Sequence, residues 1–236
     1  DKNVGIGYNP LANLTTGAYN IAIGYAAMDA LTEGEHNIAI GRNAMGNASN
    51  VDTDFNVVIG NGAGVAFGTA AVANTILIGQ NSGAAINDAT AAETLAIGTN
   101  AGAAIAGAST HGEPNTVIGY ESGKTLTVGD GNVAVGWSAL DAEATGHKST
   151  AIGYEALTTQ VNSGDVDALN TAVGYYSGRY VSTGVQNTFV GAKAGQGIIE
   201  TPLIGNYNTA LGTGAGLELE GAAHSNTFLG ASSGNT

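Results

Sequence analysis

The chain has 236 residues, of which 38 are glycine and none is cysteine, and its 19 acidic and 6 basic residues give a formal net charge of -13. This composition excludes a disulfide framework and a thiol nucleophile, and the acidic balance argues against nucleic acid as a partner, because phosphate binding needs clustered Lys and Arg. The 43% hydrophobic content is too high for a disordered chain, and no apolar run approaches the roughly 18 residues of a membrane span, so no membrane insertion is expected.

A short pattern that ends in glycine recurs along the whole chain at intervals of 17 to 21 residues. We number the positions of each copy from this glycine, which is position 0. Thirteen copies fill the chain, so we predict a single repeat domain over residues 1–236 in which each copy forms one coil of a stack. The glycines at position 0 are Gly7, Gly24, Gly41, Gly60, Gly79, Gly98, Gly119, Gly136, Gly153, Gly174, Gly191, Gly212 and Gly230.

Each copy opens with a polar residue at position −4, immediately before a short predicted strand. This residue is Asn in ten copies and Thr75, Thr94 or Ser149 in the other three. Amides that are stacked at one position form a hydrogen-bond ladder in stacked β structures. We therefore predict a structural ladder made of Asn3, Asn20, Asn37, Asn56, Asn115, Asn132, Asn170, Asn187, Asn208 and Asn226.

The predicted strand itself is apolar on both faces. Position −1 is Ile, Val or Leu in every copy, and position −2 is mostly Ala, with larger residues such as Leu77 and Phe189 in some copies. Side chains alternate along a strand, so these two positions lie on opposite faces. We expect position −1 to form an interior column and a partner chain to cover position −2. Position −3 shares a face with position −1, so its Thr residues are also expected to be buried.

The segment after each glycine carries the candidate ligand-binding residues. Position +3 is Ala or Ser in twelve copies, and position +4 is Leu, Met or Gly, which indicates a second short segment after a turn. Position +1 is aromatic in several consecutive copies. Such a stripe could stack on sugar rings, or its rings could stack on one another and stiffen the protein. The candidates are Tyr120, Trp137, Tyr154 and Tyr175, and Tyr8 and Tyr25 hold the same position near the start.

The rest of each copy varies in length and carries nearly all the charge. No catalytic residue, metal site or cofactor is predicted there. Closely spaced loop acids are candidates for calcium ligands or for the two carboxylates of a glycosidase, but we interpret them as solvated surface. We expect the four histidines to be solvated as well. The acid pairs are Glu33 with Glu35, Asp52 with Asp54, Asp165 with Asp167 and Glu218 with Glu220, and the histidines are His36, His111, His147 and His224.

These patterns predict an all-β fold, a parallel β-roll or β-solenoid of about 13 stacked coils. Helices are excluded because the apolar segments are too short and too often interrupted by glycine. At the strand spacing of about 4.8 Å per coil, the stack would form a rod about 60 Å long. Neither end shows a capping sequence, so we expect the chain to be a segment of a longer fibre.

The repeats resemble two groups of surface proteins, as the stretches from Ser149 to Leu157 and from Asn170 to Gly178 illustrate. They are similar to the Asn-Ser-Val-Ala-Ile-Gly units of trimeric autotransporter adhesin heads and to the Asn-Thr-Ala-Leu-Gly-Tyr repeats of phage tail fibres. The resemblance covers all thirteen copies. It implies a left-handed, homotrimeric parallel β-roll in which three chains pack along a common axis.

The resemblance also implies a function. We expect a non-enzymatic fibre outside the cell, on a cell or virion surface, which associates with itself and presents multivalent sites for a host-cell glycan or surface receptor. Two alternatives remain open. The chain could be the subunit of a self-assembling extracellular filament, or a monomeric β-solenoid that binds ice through its Thr column or glycan through its aromatic stripe.

Overall fold

The computed structural model describes residues 2–50, 52–68, 71–107 and 114–235. Within these residues the fold is all-β, and the only helical segment is a 3-10 turn at Ala89–Ala91. Each of the thirteen repeat copies contributes one strand of three residues, at positions −3 to −1. The chain divides into two compact units, residues 1–118 and 119–236.

The first unit is a parallel β-solenoid of six turns. Each strand pairs with the next in parallel, and equal repeat positions face each other, as Ile21 faces Ile38 and Ile23 faces Ile40. The six pairings between successive strands close the six turns. The strands are β1 (Val4–Ile6), β2 (Ile21–Ile23), β3 (Ile38–Ile40), β4 (Val57–Ile59), β5 (Ile76–Ile78), β6 (Leu95–Ile97) and β7 (Thr116–Ile118).

The second unit repeats this architecture through five turns, closed by the pairings of its six three-residue strands. Two shorter strands, β9 and β11, form a separate parallel pair in the variable segments. The protein is therefore an all-β parallel solenoid of about 11 turns. The strands are β8 (Val133–Val135), β9 (Gly146–His147), β10 (Thr150–Ile152), β11 (Val166–Asp167), β12 (Thr171–Val173), β13 (Thr188–Val190), β14 (Thr209–Leu211) and β15 (Thr227–Leu229).

The interior of the coils is formed by position −2, which we call the inner column. Ala22, Val58, Leu77 and Phe189 in this column are fully buried, whereas the strand residues on either side are half-exposed in most strands. The prediction that position −1 forms the interior is therefore wrong. The expectation that a partner chain covers position −2 is also wrong, because the chain's own turns enclose that column.

Small and large side chains alternate across this narrow interior. Where position +4 is Leu or Met, as at Met28 and Leu157, the residue at position −2 of the same copy is Ala, or Gly in the first copy. Conversely, every copy with Val, Leu or Phe at position −2 has glycine at position +4. A Cβ placed on Gly195 would lie 2.3 Å from Phe189 Cδ1, so the glycine makes room for that ring. The coil is too narrow for two large side chains at one level.

The glycine at position 0 is required by both conformation and space. Gly24 has a φ of +137°, and the other position-0 glycines also have positive φ values. Residues that carry a Cβ rarely adopt this backbone conformation. A Cβ on Gly24 would also lie 2.5 Å from the carbonyl oxygen of Gly41 in the next coil. Backbones of successive coils therefore touch at this column.

The Asn residues at position −4 bond successive coils together. The backbone N–H of Asn37 donates to Asn20 Oδ1 at 3.0 Å, and its side-chain Nδ2 donates to the same oxygen at 3.1 Å and to the carbonyl of Thr53 at 2.7 Å. The same backbone-to-amide bond links Asn20 to Asn3, Asn187 to Asn170, Asn208 to Asn187 and Asn226 to Asn208.

The series of Asn bonds changes where another residue stands at position −4. The N–H of Thr75 still donates to Asn56 Oδ1 at 3.0 Å, and that of Ser149 to Asn132 Oδ1 at 2.9 Å. The hydroxyl of Thr94, in contrast, is buried and has no hydrogen-bond partner. Asn115 occupies the same buried position. The Asn side chain can thus form hydrogen bonds with the coil before it and the coil after it, because its amide carries both a donor and an acceptor.

Candidate functional site

Four aromatic side chains at position +1 of the second unit form a continuous stack, which we call the aromatic ladder. The ring centroids lie 6.0 Å apart between Tyr120 and Trp137, 4.9 Å between Trp137 and Tyr154, and 5.5 Å between Tyr154 and Tyr175. The interplanar angles are 8°, 10° and 26°. Because each ring occupies the same position of its copy, the strand register places it over the ring of the preceding copy.

The stacking decides which parts of the ladder remain open to a ligand. The faces of Trp137 and Tyr154 are occupied by neighbouring rings, and their outer edges are exposed, with 42% and 39% of these residues accessible. A sugar that stacks on an aromatic ring needs an open face. A ligand would therefore reach the middle of the ladder through ring edges, the indole N–H and phenol hydroxyls.

A cluster of charged and aromatic side chains lies where the ladder reaches Tyr175. Tyr176 is tilted against Tyr175, with ring centroids 3.9 Å apart. The guanidinium of Arg179 lies 4.1 Å from the Tyr176 ring centroid and 2.5 Å from Glu155 Oε2. Arg179 is thus held by a cation–π contact and an ion pair together.

This environment changes the acidity of two phenols. Partial desolvation, reinforced by the negative charge of Glu155, raises the pKa of Tyr154. A hydrogen bond with Tyr175, followed by partial desolvation, raises the pKa of Tyr176. Both phenols are therefore protonated at neutral pH.

A second aromatic stack, absent from our sequence predictions, lies in the first unit. His36 is sandwiched between Tyr19 and Phe55, at centroid distances of 4.8 and 4.9 Å, and the ammonium group of Lys2 lies 5.2 Å from the Tyr19 ring centroid. All three rings sit at position −5, where the backbone is left-handed. The spacing of 17 and 19 residues between these three positions could have indicated the stack, but the three different residue types made the pattern hard to recognise.

The second candidate surface is the face of the parallel sheet that points away from the interior. We call it the outer face; it consists of positions −3 and −1. Ile76 is 41% exposed, Ile152 38% and Leu211 46%. No charged residue occupies positions −3 to −1 in any of the thirteen copies. The outer face is therefore a regular, uncharged surface on an otherwise acidic chain, and it is apolar throughout position −1.

The two units differ in the chemistry of this outer face. Position −3 is aliphatic in the first six strands, whereas in the second unit it is Thr in all three-residue strands except β8. The Thr column is half-exposed or exposed, so the expectation that it is buried is wrong. The predicted column consists of Thr116, which lies in the first unit and is half-exposed, and of Thr150, Thr171, Thr188, Thr209 and Thr227 in the second unit.

One histidine is buried in a charged cluster beside the β9–β11 pair. Only 2% of His147 is exposed; its Nδ1 lies 2.6 Å from Asp130 Oδ1 and its Nε2 lies 3.1 Å from Asp165 Oδ1. The prediction that His147 is solvated is therefore wrong. Both ring nitrogens face carboxylates, so this histidine is engaged in the fold and neither nitrogen is open to a substrate.

The carboxylate of Glu143 is also fully buried nearby. Its Oε1 accepts from the backbone N–H of Gly146 at 2.8 Å, and its Oε2 accepts from Gln160 Nε2 at 2.9 Å. Gln160 Nε2 also donates to Ser149 Oγ at 3.0 Å, so it spans the place where Asn is missing from the ladder. Hydrogen bonds from Gln160, which lies in a variable segment, thus connect two successive coils.

The predicted loop acids lie at the surface. Each is exposed except Asp54, which is half-buried and accepts a 2.6 Å hydrogen bond from the backbone of Glu35. His36 and His224 are exposed, and His111 lies outside the described residues. Among the residues that the structure describes, no group of three or more His, Asp or Glu side chains is arranged to hold a metal ion.

The part of the chain that the structure describes contains no helix with the length and hydrophobicity of a membrane span. No protein-family model, curated protein or solved structure matches this chain.

Proposed function

We propose that this chain is a non-enzymatic structural protein of a surface fibre, located on a cell or virion, and that copies of it associate through the outer face. The observation that carries the proposal is the regular, uncharged and half-exposed outer face formed by the strands of both units. Contiguous apolar surface of this kind marks interaction sites on soluble proteins.

The resemblance to adhesin heads and tail fibres supports a specific arrangement, a left-handed homotrimer. In that arrangement the outer faces of three chains meet around a common axis, and the charged variable segments point outward. The face that a partner chain covers is then formed by positions −3 and −1 and not by the inner column. Parallel copies would hold weak sites at fixed spacing, so that avidity exceeds single-site affinity.

The mass of the particle in solution tests this proposal. Light scattering on the unmodified chain is expected to give a discrete mass of three chains. Ile76→Asp, which places a charge on the outer face, is expected to reduce the mass to one chain, because an unpaired carboxylate is costly to bury between copies.

A matched control uses an apolar residue away from the outer face. Ile199→Asp alters a loop residue that is 60% exposed, and it should leave the mass unchanged. A single-chain mass for the unmodified protein would overturn the trimer. An open-ended mass distribution would instead identify the chain as the subunit of a filament.

The partner outside the fibre is proposed to be a host-cell glycan or surface receptor that contacts the aromatic ladder. The exposed ring edges, the phenol hydroxyls and the indole N–H of Trp137 support edge-on hydrogen bonding. Glycan-array binding of the unmodified chain and of Trp137→Ala tests this idea. Equal binding by both proteins would remove the ladder from the proposed receptor site.

Ice is a second candidate ligand, favoured by the exposure of the Thr column. These hydroxyls form a regular row beside the apolar column at position −1, in a sheet with uniform strand spacing of about 4.8 Å. Thermal hysteresis of a single-chain sample, compared with Thr188→Tyr, tests the alternative. A homotrimer that buries the outer face should show no hysteresis.

A further inference from the structure

We propose that the aromatic ladder is a one-electron relay, in which an oxidising equivalent that reaches Trp137 passes through the stacked rings to Tyr154 and then to Tyr175. The inference is independent of the fibre proposal, because it concerns contacts within one unit of one chain. It gives the stack a chemical property in addition to any stiffening that contacts between its rings provide.

The geometry of the stack carries this inference. Trp137 lies between Tyr120 and Tyr154 with nearly parallel rings, at centroid distances of 6.0 and 4.9 Å. Tyr154 continues the path to Tyr175 at 5.5 Å, and Tyr175 contacts Tyr176 at 3.9 Å. Electron exchange between π systems is fast at van der Waals contact, and each step here joins adjacent rings without an intervening group.

Besides its nine Tyr residues, the chain offers few side chains that compete with Trp137 for oxidation. Trp137 is the only Trp of the sequence, and the chain contains no Cys. Its two Met residues, Met28 and Met45, are fully buried in the first unit. Trp137 is 42% exposed, so a small one-electron oxidant in solution reaches it directly.

The steps balance in electrons and protons. The oxidant takes one electron from Trp137, and the indole N–H releases its proton to water, which leaves a neutral indolyl radical. Tyr154 then donates one electron to the indolyl radical and gives its phenol proton to the adjacent Glu155 carboxylate or to water. Trp137 recovers a proton from water, and Tyr154 becomes a phenoxyl radical. Tyr175 regenerates Tyr154 in the same manner.

Pulse radiolysis with the azide radical as the oxidant tests the relay on the full chain. The single Trp makes the optical signal of the indolyl radical unambiguous. We expect this signal to decay while the phenoxyl signal grows, at a rate that does not depend on protein concentration. A rate proportional to protein concentration would show transfer between molecules and would overturn the proposal.

Variants that keep the rings but remove the hydroxyls separate the relay from packing. Tyr120→Phe with Tyr154→Phe retains both stacking partners of Trp137 but cannot form phenoxyl radicals beside it, so the concentration-independent phase should be lost. The matched control, Tyr8→Phe with Tyr25→Phe, alters the stacked pair of the first unit, whose centroids lie 5.2 Å apart, and should retain the phase.

Folding of each variant is checked by its thermal transition, and the single variants Tyr120→Phe and Tyr154→Phe serve if the double variant fails to fold. Slower transfer in Tyr154→Phe supports the proposed direction. Persistence of the unaltered fast phase in the ladder variants, or its loss in the Tyr8 and Tyr25 control, would contradict the relay.

Discussion

Individual residues in this protein are constrained mainly by the coil above and the coil below. The glycine at position 0 meets the backbone of the next coil, and the Asn at position −4 bonds to both neighbouring coils. A substitution at either position therefore disturbs contacts between turns more than it disturbs its own turn.

Gly24→Ala should destabilise the first unit strongly. Backbone strain at the positive φ costs about 1–3 kcal/mol, and the added Cβ collides with the carbonyl of Gly41. Chemical denaturation measures the loss. Gly68→Ala is the control, because a Cβ there meets its nearest atom at an ordinary 3.5 Å and its φ is not positive. Equal stability of the two variants would contradict this account of position 0.

Asn37→Ala should reduce the free energy of unfolding by about 2–5 kcal/mol, because it leaves the backbone N–H of Asn56 and the carbonyl of Thr53 without their partners. Asn61→Ala, at an exposed residue outside the ladder, should change little. Urea titration of both variants provides the comparison. A loss below about 0.5 kcal/mol for Asn37→Ala would mean that water replaces the amide.

Asp141→Asn should stabilise the protein at pH 7. Burial raises the pKa of Asp141, partly offset by Lys124, and its Oδ1 is buried without a hydrogen-bond partner. Since the folded-state pKa lies above the unfolded one, the ionised form disfavours folding, and this penalty disappears as the pH falls below about 4. Thermal transitions across pH 3 to 7 should therefore converge for the two proteins in acid. A gain that is constant with pH would show that charge is not its cause.

The strands combine two faces with different tasks. The inner column packs against side chains of the chain's own turns, and the outer face remains half-exposed. Size is balanced inside each coil, because a large residue at position −2 is accompanied by glycine at position +4, as with Phe189 and Gly195.

Phe189→Ala and Leu211→Ala compare the two faces in strands of the same unit. The first truncation empties a fully buried site and should cost about 3–5 kcal/mol. The second removes a side chain that is 46% exposed, and under conditions where the chain is monomeric it should cost less than about 1 kcal/mol. Calorimetry of both variants is the measurement. A larger loss of stability for Leu211→Ala than for Phe189→Ala would indicate that the outer face, and not the inner column, forms the core.

The charge of the whole molecule is kept away from the outer face. The net charge of -13 resides outside the thirteen three-residue strands, so copies that meet through their outer faces bring no like charges into the contact itself. Repulsion between copies then acts at longer range, where salt screens it.

Association of copies should therefore strengthen with salt. Between about 0.05 M and about 0.5 M ionic strength the screening length falls severalfold, and the midpoint concentration for association should fall with it. Light scattering of a dilution series at both salt concentrations tests this prediction. Association that weakens with salt would indicate ion pairs across the contact and would argue against the outer face.

The histidine and aromatic positions illustrate what remained hidden in the sequence. The stack of Tyr19, His36 and Phe55 depends on three unlike residues sharing one repeat position. His147 lies in a segment of variable length, and its partners Asp130 and Asp165 come from the variable segments of the preceding and following copies. The first arrangement leaves only a spacing of 17 and 19 residues between unlike residue types, and the second uses residues that occur in only a few copies.

The sequence by itself determined the all-β class, the position of each of the thirteen strands and the register of the stack. It could do so because stacking repeats one local environment, and a column of identical residues reports that environment many times. The tertiary structure alone decided which face of the strand is inside. Both faces are apolar, so the alternation of side chains shows which residues share a face but not which face is buried. Hydrophobicity alone favours burial of the Ile column over the Ala column. The narrow coil reverses that order, because its interior admits a small side chain opposite a large one and leaves the uniform column of Ile, Val and Leu outside.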